Sequence, residues 1–130
     1  MEATDRKSAL GLWHVRMELA REKEHPMGDR NFGYDLVVPL TPDGTLDPEE
    51  WKKRKDDCRV RRFRPGEEDQ IGKLRRKPGG QWFFDYGEGE DDDEIGFRLG
   101  EERFVVGEYV SVRDDEDKMR TYQIKIVEPV

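Results

Sequence analysis

Arg103-Phe104-Val105-Val106-Gly107-Glu108-Tyr109-Val110-Ser111-Val112, followed across a short gap by Tyr122-Gln123-Ile124-Lys125-Ile126-Val127, is the stretch that decides the fold of this chain. Both segments are dense in β-branched and aromatic residues, which suit a pleated, half-buried backbone, and the residues between them are few and polar. The pair predicts two antiparallel strands joined by a tight acidic loop.

Upstream the same signal recurs. Trp13, Val15, Met17 and Leu19 alternate with His14, Arg16 and Glu18, and Phe32, Tyr34, Leu36, Val38 and Leu40 repeat the period of two after a loop holding Pro26 and Gly28. Cys58 and Val60 alternate with Arg59 and Arg61 before Phe63. Gln70 to Lys77, Gln81 to Tyr86 and Ile95 to Leu99 supply three more short segments, separated by Pro65-Gly66, Pro78-Gly79-Gly80 and an acidic run. One helix interrupts the strands. Asp47 is placed to cap it, Pro48 fits its first position, Glu50 complements its dipole and Leu46 is poised to staple onto Trp51, so a short helix over residues 48–56 is expected.

Eight short strands with frequent turns and one helix predict a mostly β fold, an antiparallel barrel in which strand edges are hidden by closure; a two-sheet sandwich is the alternative. Residues 1–10 are polar and aperiodic and read as a loose tail, leaving 11–130 as a single barrel-like domain. The aromatic residues Trp13, Phe32, Tyr34, Trp82, Phe84, Tyr86, Phe97 and Tyr109 mostly share the inward parity of their strands and are assigned to the core. The terminal hairpin is expected to meet Trp13 to Leu19 and seal the barrel.

Composition sets limits on function. Apolar residues make up 33% and charged residues 42%, a thin apolar supply that the alternation must concentrate into one small core. No apolar run approaches eighteen residues and Met1 to Asp5 has no leader pattern, so a soluble cytoplasmic protein without membrane association is expected. A single cysteine, Cys58, makes no internal disulfide and reads as a small buried residue.

The net charge of -7 is uneven, because half of the 24 Lys and Arg lie in residues 51–80. That stretch supports a nucleic-acid face as one alternative, with Arg59, Arg61 and Arg64 as phosphate contacts and Trp82 nearby as a stacking platform. Pairing with the chain's own carboxylates, within one molecule or across a homodimer, is the competing reading. The run Gly87 to Glu94 reads as a solvated hairpin loop; taken instead as a cation site, its ligands would be Asp91, Asp93 and Glu102. No cofactor motif is present, and no catalytic residue is assigned, since His14, His25 and Cys58 have neither ligand spacing nor a neighbouring nucleophile or base. An enzyme would have to build its site in the barrel mouth.

His25-Pro26, Gly33-Tyr34, Val38-Pro39-Leu40, Cys58 to Phe63, Phe83 with Asp85 and Tyr86, and Gly107 to Val112 resemble a group of small bacterial proteins of unknown function. The resemblance covers most of the chain and implies a bacterial origin; it brings no activity, cofactor or partner. The expectation is therefore a non-catalytic binding or accessory module for a protein or a small ligand, with Tyr34 and Tyr86 as candidate ligand contacts inside the barrel.

Overall fold

The computed structural model describes residues 11–87, 93–95, 99–114 and 116–130. Its strands are β1 (Trp13–Leu19), β2 (Asp29–Val38), β3 (Arg59–Phe63), β4 (Gln70–Arg76), β5 (Trp82–Asp85), β6 (Glu94–Ile95), β7 (Tyr109–Arg113) and β8 (Met119–Pro129), with one α-helix, α1 (Pro48–Arg54), between β2 and β3. Each strand pairs antiparallel with the next, and β8 pairs back onto β1 from Trp13↔Pro129 to Leu19↔Tyr122, so the sheet closes as an up-and-down barrel. The expected barrel and its closing pair are both present.

The alternation read from the sequence is the alternation of the wall. Val15, Met17, Leu36, Val38, Val60, Leu74, Phe84, Val110, Val112 and Ile124 all point inward and are buried. At about 25 cal/mol for each Å² of apolar surface removed from water, this lining is the main favourable contribution to folding. Glycine is needed where strands press together. A Cβ on Gly33 would lie 2.1 Å from the Met17 carbonyl oxygen, beside the register slip between Glu18 and Leu19.

Because successive strands run in opposite directions, alternate connections share an end. The β2–β3, β4–β5 and β6–β7 connections lie at the end closed by α1. Asp47 caps that helix through Oδ1, which accepts the amides of Glu49 and Glu50 at 3.1 Å each, a contribution of about 1 kcal/mol. Trp51 then turns inward, packs edge-on against Trp82 with ring centroids 5.3 Å apart, and donates its indole N–H to the Leu74 carbonyl at 2.9 Å. The helix ends sooner than the expected residue 56, continuing as a 3-10 turn over Lys55–Asp57.

Two further expectations are corrected. The strand predicted from Arg103 begins only at Tyr109, because Phe104 is tied to another loop by the hydrogen bond its N–H donates to the Gly44 carbonyl, Val105 and Val106 face solvent, and Gly107 takes a left-handed φ of 98°. Tyr109 accordingly sits on the outer face, 55% exposed, and is not a core residue. Among the described residues the sixth strand is Glu94–Ile95; Phe97 lies outside them.

Candidate ligand site at the polar end of the barrel

The end opposite α1 is built on the same inward positions but with different chemistry. On β3 the parity that buries Cys58 and Val60 continues to Arg62 and on to Arg64, just past the strand. On β6 it selects Glu94, after β7 it selects Asp114, and on β8 it selects Arg120 and Tyr122. Tyr34 comes from β2. Tyr86 follows β5 and enters the barrel over Gly72, where a Cβ would fall 2.7 Å from the tyrosine ring and 2.5 Å from the Asp85 carbonyl oxygen.

Glu94 is the hub. Its Oε1 accepts the hydroxyls of Tyr34 at 2.9 Å and Tyr86 at 2.7 Å, and its Oε2 accepts Arg62 Nη1 at 3.0 Å. The carboxylate is fully buried. Burial raises its pKa, and the hydrogen bonds from Tyr86, Arg62 and Tyr34 only partly offset that. Burial likewise holds the Tyr34, Tyr86 and Tyr122 hydroxyls protonated at any physiological pH, and the first two donate to Glu94.

Around this satisfied hub lies a second, less complete set of groups. Asp114 Oδ1 accepts the amides of Glu116 at 3.0 Å and Lys118 at 2.9 Å, which fixes the β7–β8 turn. Its Oδ2 faces Arg64 Nη2 at 3.6 Å and Arg120 Nε at 3.5 Å, too long for hydrogen bonds. Arg64 Nη2 is also 3.7 Å from Glu94 Oε2. Arg64 Nε and Nη2, Arg120 Nε, Asp114 Oδ2 and the Tyr122 hydroxyl are thus buried without a hydrogen-bond partner among the described residues. Tyr122 stacks edge-on against Tyr34, with centroids 5.0 Å apart, but the two hydroxyls do not reach hydrogen-bonding geometry.

Phe32 organises these groups. The Arg64 and Arg120 guanidinium carbons stand 4.7 and 4.9 Å from its ring centroid, a pair of cation–π contacts that hold both side chains at the barrel end. Arg120 Nη1 donates to Glu22 at 2.6 Å, Glu22 accepts His25 Nδ1 at 2.9 Å, and Lys118 reaches Glu24 at 2.6 Å. The β1–β2 connection is thereby tied across the mouth to β8 and its turn.

The residues singled out in the sequence fall in three places. Tyr34, Tyr86 and Arg64 come together in the polar end. Arg59 and Arg61 lie on the outer face of β3, where Arg61 pairs with Asp35 and with Asp69, the latter at 2.6 Å. Trp82 is buried at the helix end against Trp51, away from solvent and out of reach as a stacking platform. Asp91 lies outside the described residues, and no group of three potential metal ligands occurs among the described ones. Cys58 is fully buried, donates its thiol to the Arg54 carbonyl at 3.3 Å, and is pushed up to about 11 by burial and then by Asp57, so it stays an unreactive thiol. His14 is outward-facing and bonded to Asp35 at 2.7 Å.

Sequence reasoning missed Arg62, Glu94, Asp114, Arg120 and Tyr122. Their inward parity was the available signal. No family model matches this chain, and comparison with curated proteins and with solved structures finds no significant similarity. No described helix is long and apolar enough to cross a membrane.

Proposed function

We propose that the protein is a non-catalytic binding module that takes a small polar ligand at the polar end of its barrel. The observation carrying this reading is the set of unfilled hydrogen-bonding positions at Arg64, Arg120 and Asp114. A buried polar group without a partner costs about 1–3 kcal/mol, and the cost is recovered by whatever supplies the missing bonds. Arg64 Nε and Nη2 form one edge of a guanidinium, a fork suited to a bidentate acceptor.

Charge decides what kind of molecule fits. Three guanidinium groups, from Arg62, Arg64 and Arg120, face four carboxylates among the described residues, from Glu94, Asp114, Glu22 and Glu67. The cations are already compensated, so a full anion would meet Glu94 and Asp114 at the same fork. A neutral group with one acceptor and one donor, such as an amide or a hydroxyl-bearing carbonyl compound, offers its acceptor to Arg64 and its donor to Asp114 Oδ2. An eight-stranded barrel has room for one small ligand at most, which agrees with a compact head group.

Native mass spectrometry of the gently purified protein tests this. The expected result is a retained neutral mass that falls about tenfold in occupancy in Arg64→Lys, which keeps the charge but loses the fork. A wild-type protein that carries no adduct and binds none from a panel of small amides and hydroxy-carbonyl compounds would refute it.

A further inference from the structure

The outer wall carries a second feature, unrelated to the barrel interior. Across β3 and β4, Arg59 stands directly opposite Lys73 and Arg61 opposite Ile71, while on the other side Val37 of β2 stands opposite Arg59. Like charges directly opposite one another destabilise a sheet. The neighbouring cations are compensated: Arg61 pairs with Asp35 and Asp69, and Arg75 with Asp85 at 2.9 Å. The Arg59–Lys73 pair is not. Arg59 has no ion-pair partner among the described residues, and Lys73 donates to the Asp56 backbone carbonyl at 3.1 Å.

Beside this pair Ile71 is 60% exposed, on a strand whose other outward residues are charged. Ile71 and Val37 line a recess of about 230 Å³ on the outer wall, flanked by Arg59, Arg61 and Asp35. An uncompensated cation pair beside an exposed apolar recess is costly to the isolated barrel on both counts, and one kind of contact relieves both.

We propose that the outer face of β3 and β4 docks an acidic segment of a partner protein, whose carboxylates pair with Arg59 and Lys73 and whose adjacent apolar side chain seats between Ile71 and Val37. A nucleic-acid strand fits this face less well, because its continuous phosphate track would run past Asp35, Asp69 and Asp85, which already neutralise Arg61 and Arg75, whereas a segment with two carboxylates need reach only Arg59 and Lys73; an aliphatic recess also offers bases no stacking platform. A discrete patch of acid plus one anchor fits the spacing of the groups, with the charges steering encounter and the anchor slowing release.

The full-length ¹⁵N-labelled protein is titrated with three probes at about 50 mM salt: a short all-glutamate peptide, the same peptide with one central leucine, and a single-stranded oligonucleotide of equal charge. The leucine-bearing peptide is expected to shift the amides of Arg59, Ile71 and Lys73 saturably and to bind about tenfold more tightly than the all-glutamate peptide. Ile71→Ser should erase that tenfold difference, and the Arg59→Glu/Lys73→Glu pair should abolish binding of both peptides; all three positions face outward, so the melting temperature checks that the barrel survives. The proposal is overturned if the two peptides bind equally, if the oligonucleotide binds better than either, if no probe shifts these amides, or if the substitutions instead abolish self-association of the chain.

Discussion

The two ends of this barrel are built from the same strands with the same inward alternation, yet one is an apolar plug and the other a buried ionic network. At the helix end the inward positions are Cys58, Leu74, Trp82 and Val110, sealed by Trp51 from α1. At the opposite end they are Arg62, Arg64, Glu94, Asp114 and Arg120. The difference teaches that period-two alternation reports which face a side chain takes and nothing about what that face contains. The plug is what a small barrel needs in order to fold. The ionic end adds little to stability in comparison, since ion pairs taken out of water seldom outperform apolar residues of the same volume.

Four substitutions or titrations press on that contrast. The largest effect is expected for Glu94→Leu, which takes from buried Arg62 the carboxylate that accepts its Nη1 at 3.0 Å and leaves the Tyr34 and Tyr86 hydroxyls without their acceptor. Urea denaturation should show a loss of about 3–5 kcal/mol, most of it regained when Arg62→Met is added. A double variant no more stable than Glu94→Leu would mean that the network itself holds the fold. Next comes Trp51→Ala at the plug, which loses an aromatic contact with Trp82, a hydrogen bond to Leu74 and a buried side chain, about 3 kcal/mol by the same measurement, with no recovery available from any single partner.

Gly72→Ala is expected to cost about 1–3 kcal/mol, because the added methyl must displace the Tyr86 ring or the Asp85 carbonyl. It also sharpens the contrast, since the ring it moves belongs to the polar end; Tyr86 resonances should shift while those of Trp51 stay put. The smallest effect is in pH dependence, where two carboxylates should behave oppositely. Burial raises Glu94 above its ordinary 4.5, so the folded state holds that proton more tightly; its contribution to stability is full below about 4.5 and declines as pH rises through the higher folded value. Asp35 on the outer wall is partly buried too, but hydrogen bonds from His14 and Arg61 outweigh this and hold it below its ordinary 3.8. Its contribution is present above 3.8 and is lost as pH falls through the folded value. Stability profiles of Glu94→Gln and Asp35→Asn, each subtracted from the wild type, should therefore slope in opposite directions.

Much of the fold was legible because its decisive signals are local. Asp47, Pro48 and Leu46 announce the helix start, and five alternating apolar residues announce β2. The start of β7 was misplaced because Phe104, Val105 and Val106 have the composition of a strand; the amide of Phe104 is taken by Gly44, a loop far away in sequence, and composition does not record that. The candidate site was half legible. Tyr34, Tyr86 and Arg64 were named, but Glu94 and Asp114 were read as parts of solvated acidic loops, as runs of like charge usually are, and Arg62 and Arg120 were given no role. Arg62 shares the parity of Val60, and following that parity to the end of β3 would have placed two arginines inside the barrel.

The proposed binding of a small neutral ligand is what would separate the polar end from a merely alternative way of filling a barrel. The most direct measurement follows the side-chain Nε–H resonances of Arg64 and Arg120 while acetamide is added to the native protein, with Arg64→Lys as the control. A saturable shift of both resonances, lost for Arg120 in the Arg64→Lys variant at unchanged melting temperature, is the predicted result. Resonances that stay fixed at every concentration, or that drift equally in wild type and variant, would contradict the claim.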